Sequence, residues 1–387
     1  MMNSAAYRII MPKTIVFGVG ALDSLYDETL KIGAKNALIV TDPGVYNSGL
    51  VTPVKNQLSK AKLAIDVFNE SEPEPTLTGL DAAIKKLHLK RYEQVVGLGG
   101  GSSLDTAKAL SILMTYGGIS RDYVGVNKVQ GPGVPLILIP TTAGTGSEVT
   151  NIAIFSDSEK QLKLGVVSPY LLATVALVDP TLTYRCPSAV SAASGIDALV
   201  HAIESFTSLK ANNYTDALSA KAMELINSAL RIVVKNGADE DARKRMAEGA
   251  LLAGIAFGNA GVAAVHALAY PLGARFHVSH GVANGLLLPY VMEYNLTASS
   301  HKYAIIARIL GERTEGLSPE ESAQRSVIAV KALAKDIGIP ACLRDINVPY
   351  DALEGMAEAT MEATRLLTNN PKYLSLQDVR AIWQKAW

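Results

Sequence analysis

The chain has 387 residues, of which 49% are apolar and 19% charged, and its formal net charge is zero. That length predicts two domains with a large buried core, and the composition excludes a disordered chain. With no basic stripe and no acidic tail, nucleic acid and anionic membranes are poor partners.

Residues 1 to 185 alternate short apolar runs with amphipathic ones. Strands are expected at 14–17, 37–41, 63–68, 94–98, 135–139 and 152–155, and helices at 21–32 (ended by Gly33), 51–61, 77–89 and 103–115. The βαβα order predicts an α/β domain with a parallel, Rossmann-like sheet and helices on both faces. The pattern changes at Asp179-Pro180. Beyond Pro187 the chain reads as helix over 188–208, 213–235, 239–257, 301–313, 319–337, 351–363 and 375–386, so 186–387 should form an all-helical domain. The longest apolar run, 247–273, is interrupted by Glu248, Asn259, His266 and several glycines, and reads as buried helices rather than a membrane span. Cys186 and Cys342 are too few for a disulfide framework, and Arg8 and Lys13 flank a short run unlike a signal segment. A cytoplasmic location is the expectation.

Three stretches carry polar chemistry in the first half. Gly97-Leu-Gly99-Gly100-Gly101-Ser102-Ser103-Leu-Asp105 lies between a buried strand and a helix, where backbone N–H groups and a helix N-terminus can close on a pyrophosphate. It lacks the Gly-Lys-Ser/Thr ending of a P-loop. A plain glycine turn is the competing reading. Asp42 closes the strand 37–41; a carboxylate there can accept both ribose hydroxyls and repel a 2′-phosphate, favouring NAD over NADP. Pro140-Thr141-Thr142-Ala143-Gly144-Thr145-Gly146-Ser147-Glu148-Val149-Thr150 forms a hydroxyl-rich cradle after another strand.

The second half holds four of the six histidines, in the stretch 195–284. Asp197 and His201 stand four apart in a helical run and project from one face. His266 follows a helix-like run, and His280 precedes a glycine and a new apolar segment. One carboxylate and three imidazoles suit a divalent ion, Fe²⁺ or Zn²⁺, and ligand type does not choose between them. Tyr270, four after His266, shares that face or packs before Pro271. His277 is a candidate pocket residue three before His280, and Glu204 reads as a structural or solvated carboxylate.

Taken together, the segments 99–105, 140–150, 195–204 and 266–284 resemble those of the iron-containing (group III) alcohol dehydrogenases, the family of lactaldehyde–propanediol oxidoreductases and 1,3-propanediol dehydrogenases. The resemblance spans nearly the whole chain. It implies the dehydroquinate synthase-like architecture of that family. It implies metal ligands at Asp197, His201, His266 and His280, and cofactor contacts at Asp42, Gly99, Gly100, Gly101, Ser102, Asp105, Thr141, Thr142, Thr145 and Lys163. It also implies a homodimer or larger homo-oligomer. The chain departs from the pattern at Tyr270, where many members have His, and at Glu74, where many have Asn or Asp. A tyrosine titrates near 10 rather than near neutrality, so a proton relay there would differ.

The expected activity is NAD-linked, metal-dependent interconversion of a small primary alcohol or diol and its aldehyde, with Tyr270 and His277 as candidate active-site groups. Glycerol dehydrogenase-like, maleylacetate reductase-like and dehydroquinate synthase-like activities are the alternatives on this scaffold. No Lys/Arg cluster to hold the sugar phosphate of the last is visible near the metal motifs. A non-catalytic nucleotide-binding module would have no need of a buried metal site.

Overall fold

A computed structural model describes residues 6–87, 90–157, 159 and 162–387. The chain divides into two compact units, Ile10–Cys186 and Pro187–Trp387, the latter joined by residues 6–9.

The first unit is built on nine strands: β1 (Thr14–Phe17), β2 (Asn36–Val40), β3 (Ala64–Phe68), β4 (Gln94–Gly99), β5 (Gly125–Val126), β6 (Leu136–Pro140), β7 (Ile152–Asp157), β8 (Leu162–Val167) and β9 (Val175–Val178). Its helices are α1 (Ser24–Ile32), α2 (Pro43–Asn47), α3 (Val51–Lys60), α4 (Leu77–Leu87) and α5 (Gly101–Tyr116). The last two positions expected for α4, His88 and Leu89, lie outside the described residues. Six strands form a sheet in the order β1-β9-β6-β4-β2-β3, with every neighbouring pair parallel.

The period-2 geometry of a strand explains why both faces are covered. Leu38, Val40, Val95, Leu136 and Leu138 join one core cluster with Leu80 and Ala83 of α4 and Leu104 and Ala107 of α5. Their chain neighbours Ala37, Ile39, Val96, Ile137 and Ile139 join the other, with Leu25 of α1 and Val54 and Leu58 of α3. Each fully buried aliphatic side chain contributes about 1.5–3 kcal/mol. From β2 the chain first moves outward to β3, then returns to place β4 on the opposite side of β2. The carboxyl ends of β2 and β4 thus flank the reversal of strand order where open α/β sheets bind ligands. A second sheet, β5-β8-β7, pairs β7 and β8 as an antiparallel hairpin; the sequence reading anticipated β7 alone.

The second unit is helical: α6 (Ser188–Thr207), α7 (Asn213–Lys235), α8 (Glu240–Ala260), α9 (Ala264–Phe276), α10 (His280–Asn295), α11 (Ser300–Ile309), α12 (Pro319–Asp336), α13 (Ala352–Met361), α14 (Thr364–Leu367) and α15 (Leu376–Ala386). Start signals behave as expected where they exist. Ser318 caps α12, with Pro319 in its first turn and Glu321 reaching back to the Ser318 N–H. Helices α9 and α10 were not resolved from the sequence. Gly261, at φ 77°, ends α8, and α9 begins three residues later without a side-chain cap of its own. His266 therefore sits in the first turn of a new helix, not behind an old one, and Pro271 lies inside α9 rather than ending it. Among the described residues no single helix is long and apolar enough to cross a membrane. The pair α8 and α9 reaches that length and composition only together, and it bends by 103°.

Candidate metal centre and nucleotide loops

The buried helix α6 supplies two donors from one face. Asp197 is 2% and His201 4% exposed, and His201 Nε2 lies 3.8 Å from Asp197 Oδ2. The first turn of α9 brings His266 Nε2 to 3.9 Å from Asp197 Oδ1, and the first residue of α10 brings His280 Nε2 to 3.8 Å from the same oxygen. Donor atoms of Asp197, His201 and His266 all lie within 4.8 Å of one another. A tetrahedral ion with bonds of about 2.0–2.2 Å spaces its ligands roughly 3.3–3.6 Å apart, so these donors need only a small inward shift to close on one.

The rings are packed to hold this convergence. Phe257 stacks on His201 at 4.2 Å between centroids, His201 stacks on His266 at 4.8 Å, and His280 meets His266 at a tilt, 5.2 Å away. Gly281 allows α10 to approach α6: a Cβ there would fall 2.0 Å from the Ala193 carbonyl oxygen. Burial pushes the Asp197 carboxyl up, but His201, His280, His266 and the Asn284 amide outweigh it, and the group is held below the usual carboxylate value. The chemistry of the donor set fits a metal on a further observation. His266 Nε2 is buried without a hydrogen-bond partner and aims at the other donors.

Two residues that sequence reasoning did not assign to the site belong beside it. The Asn284 amide donates to Asp197 Oδ1 at 2.6 Å and stands 3.1 Å from His280 Nε2. Glu204 is neither solvated nor merely structural: it is buried, with Oε2 2.6 Å from His266 Nδ1 and Oε1 accepting the Val265 N–H at 2.7 Å. Helical spacing signalled both, since Glu204 lies two turns after Asp197 and Asn284 one turn after His280. Tyr270 is half-buried one turn after His266 on α9. His277 is exposed and caps the end of α9 in the left-handed conformation, at φ 53°. It stands on the joint between α9 and α10 and is not among the converging donors.

In the α/β unit the sheet brings the three loops together. The turn from β4 into α5 passes through Gly100, and the Thr141 N–H bonds the Gly99 carbonyl. A Cβ on Gly101 would meet the Thr145 side chain at 2.8 Å, so the glycine and threonine loops touch where only hydrogen fits. Gly100 and Thr142 face each other across the same turn. Backbone N–H groups at the start of α5, a 16-residue helix, suit an anionic phosphate. Asp42 stands at the end of β2, accepting the Val45 N–H with Oδ1 and the Ser103 hydroxyl with Oδ2, each at 3.0 Å. Ser102 donates its hydroxyl to the Pro73 carbonyl. Lys163 is largely buried and pairs with Glu74 at 3.2 Å.

Asp105 is held within the protein. Both its oxygens are used within the protein, Oδ1 accepting the Ser147 hydroxyl at 2.6 Å and Oδ2 the Ile154 N–H at 2.8 Å. Lys108, fully buried, lies 3.6 Å from Asp105 and donates to Ser147 Oγ at 2.8 Å, Thr150 Oγ1 at 3.3 Å and the Ile152 carbonyl at 2.7 Å. Burial pushes Asp105 up and Lys108 down. The pair ties α5 to the threonine loop, so Asp105 positions the cradle.

Neighbouring Glu148 is buried as well, and burial raises its pKa to about 7, against opposing effects of a backbone N–H and Lys108. The folded protein holds this proton more tightly than the unfolded chain, whose glutamate titrates near 4.5. Stability therefore falls as pH rises through that window. Glu148→Gln should stabilise the protein by up to about 3 kcal/mol at pH 8 and have little effect below pH 4.5. Thermal melts of both proteins at the two pH values check this; equal gains at both would contradict it.

Two family profiles match the chain: iron-containing alcohol dehydrogenase over residues 12–180, and the C-terminal region of the Fe-containing alcohol dehydrogenase family over 191–387. Long-chain-alcohol dehydrogenase 1 of Geobacillus thermodenitrificans is 42% identical over 384 residues, covering 98% of this chain and 96% of that protein. The crystal structure of a 1,3-propanediol oxidoreductase superposes with a TM-score of 0.96 at 36% identity, covering 99% of this chain and 100% of the other. Sulfoacetaldehyde reductase from Bifidobacterium kashiwanohense, solved in complex with NAD+, gives a TM-score of 0.88 at 28% identity, with 99% of each chain covered.

Proposed function

The chain belongs to the iron-containing alcohol dehydrogenase family, and from that premise we propose that it interconverts a small primary alcohol or diol and its aldehyde, with NAD as the hydride partner. The observation that carries the reading is the convergence of a buried Asp197 with the Nε2 atoms of His201, His266 and His280 at 3.8–3.9 Å. We assign these four residues as the ligands of one divalent ion, Fe²⁺ by family and Zn²⁺ as the alternative.

Once bound, the ion supplies Lewis acidity toward the substrate oxygen and the nicotinamide supplies the hydride acceptor. The protein's own residues do the rest. Asp197 brings the single negative charge of the donor set, and the Phe257–His201–His266 stack holds the two rings in place. The Gly99–Ser102 turn and Thr141, Thr142 and Thr145 bind the dinucleotide phosphates, Asp42 the ribose hydroxyls, and Lys163 the phosphate or ribose oxygens near Glu74. Tyr270 supports the substrate oxygen through its hydroxyl without ionising, and His277 is a candidate for carrying the proton to solvent. Hydride transfer needs donor carbon and nicotinamide within about 3–3.5 Å. A cytoplasmic homo-oligomer is part of the proposal; two free cysteines fit a reducing compartment.

The test is NADH formation with a panel of small alcohols before chelation, after it, and after return of Fe²⁺ or Zn²⁺. Turnover should disappear on chelation and come back with the ion. Absence of turnover in every metal form would sink the reading. A preference for a secondary alcohol would move it toward the glycerol dehydrogenase-like alternative.

A further inference from the structure

The start of α9 lacks the polar residue that normally caps a helix. Ala263 occupies the cap position and makes no side-chain bond. The Val265 N–H is satisfied instead by Glu204 Oε1, from a helix 61 residues earlier. The other oxygen of the same carboxylate lies 2.6 Å from His266 Nδ1. An anionic carboxylate only accepts hydrogen bonds, so Nδ1 must be the protonated nitrogen. Nε2 then keeps its lone pair, and it is the nitrogen left buried without a hydrogen-bond partner beside Asp197. A carboxylate behind a metal-ligating histidine fixes its tautomer and ring orientation and raises its basicity.

We propose that Glu204 is a positioning residue for the metal centre: it caps α9 with one oxygen and with the other holds His266 in the tautomer that presents Nε2 to a divalent ion. The inference rests on the metal-centre reading of Asp197, His201, His266 and His280. One group thus sets both where the helix begins and which nitrogen of its histidine can ligate.

Glu204→Gln separates the two duties. With its amide oxygen on the Val265 N–H, the glutamine keeps the cap and turns an N–H toward His266 Nδ1. The histidine must then carry its proton on Nε2, where it blocks ligation. Metal-free wild-type and E204Q protein are titrated with Zn²⁺ against a chromophoric chelator, and each metal-free form is melted. The wild type should bind Zn²⁺, E204Q 10–100-fold more weakly by the usual cost of losing such a partner, and the two metal-free melting midpoints should agree within a few degrees. Equal Zn²⁺ affinities would overturn the role of Glu204 and leave the metal reading standing. Failure of the wild type to bind Zn²⁺ would overturn the metal reading and this inference with it. Should E204Q not fold, the imidazole nitrogen resonances of ¹⁵N-histidine-labelled wild type decide the matter. His266 must be protonated on Nδ1, and an Nε2–H tautomer there refutes the proposal.

Discussion

Asp197→Asn is expected to lose its bound metal and to lower kcat by roughly 10³-fold, because Lewis-acid stabilisation of developing charge is worth several kcal/mol. The substitution keeps size and shape and removes the one negative charge in the donor set. In the native protein that charge lies 3.8–3.9 Å from the Nε2 atoms of three imidazoles and accepts the Asn284 amide. The neighbouring imidazoles and the Asn284 amide hold the carboxyl below the ordinary range, so the asparagine removes a charge that the native site favours. Metal content by elemental analysis and NADH formation with the best alcohol of the panel provide the measurement. A variant that retained both would show that the ion is held elsewhere.

The second large effect is on stability. Lys108→Met should cost about 3–5 kcal/mol, the usual result of removing one member of a buried ion pair. It leaves Asp105 enclosed with only the Ser147 hydroxyl and the Ile154 N–H for compensation. Asp105→Asn added to Lys108→Met should recover part of the loss, since the orphaned charge goes with it. Denaturant midpoints of the single and double variants test this, and a double variant less stable than Lys108→Met alone would contradict it. Because the pair ties α5 to the threonine loop, dinucleotide affinity should fall in the same variants, and it should fall even at temperatures where they remain folded.

Much of this was legible in the sequence because it is local. The continuous apolar runs at 37–41 and 135–139, and their alternation with helices along the chain, told of a parallel sheet covered on both sides, and the glycine run marked the turn between strand and helix. The spacing of Asp197 and His201 was enough to place two donors on one helix face. What stayed hidden depends on residues far apart in the chain. The start of α9 was invisible because its cap comes from Glu204, and so were the partners of Asp105, since Ser147 and Ile154 lie 42 and 49 positions away. The same distance hid the pairing of Lys163 with Glu74, which no local pattern connects to it. His277 was singled out for its nearness to His280 in sequence, yet the left-handed joint it occupies turns it to the surface.

The placement of β1 has a consequence for how the protein is made. This strand is the edge of the large sheet and, among the described residues, pairs only with β9, Thr14 beside Val175, and the Leu22 N–H reaches Asp179 just beyond. On a ribosome the first strand emerges about 160 residues before its sole partner, a wait of roughly 8–30 s at ordinary elongation rates. Strands β2, β3, β4 and β6 can assemble in that interval, since none needs β1.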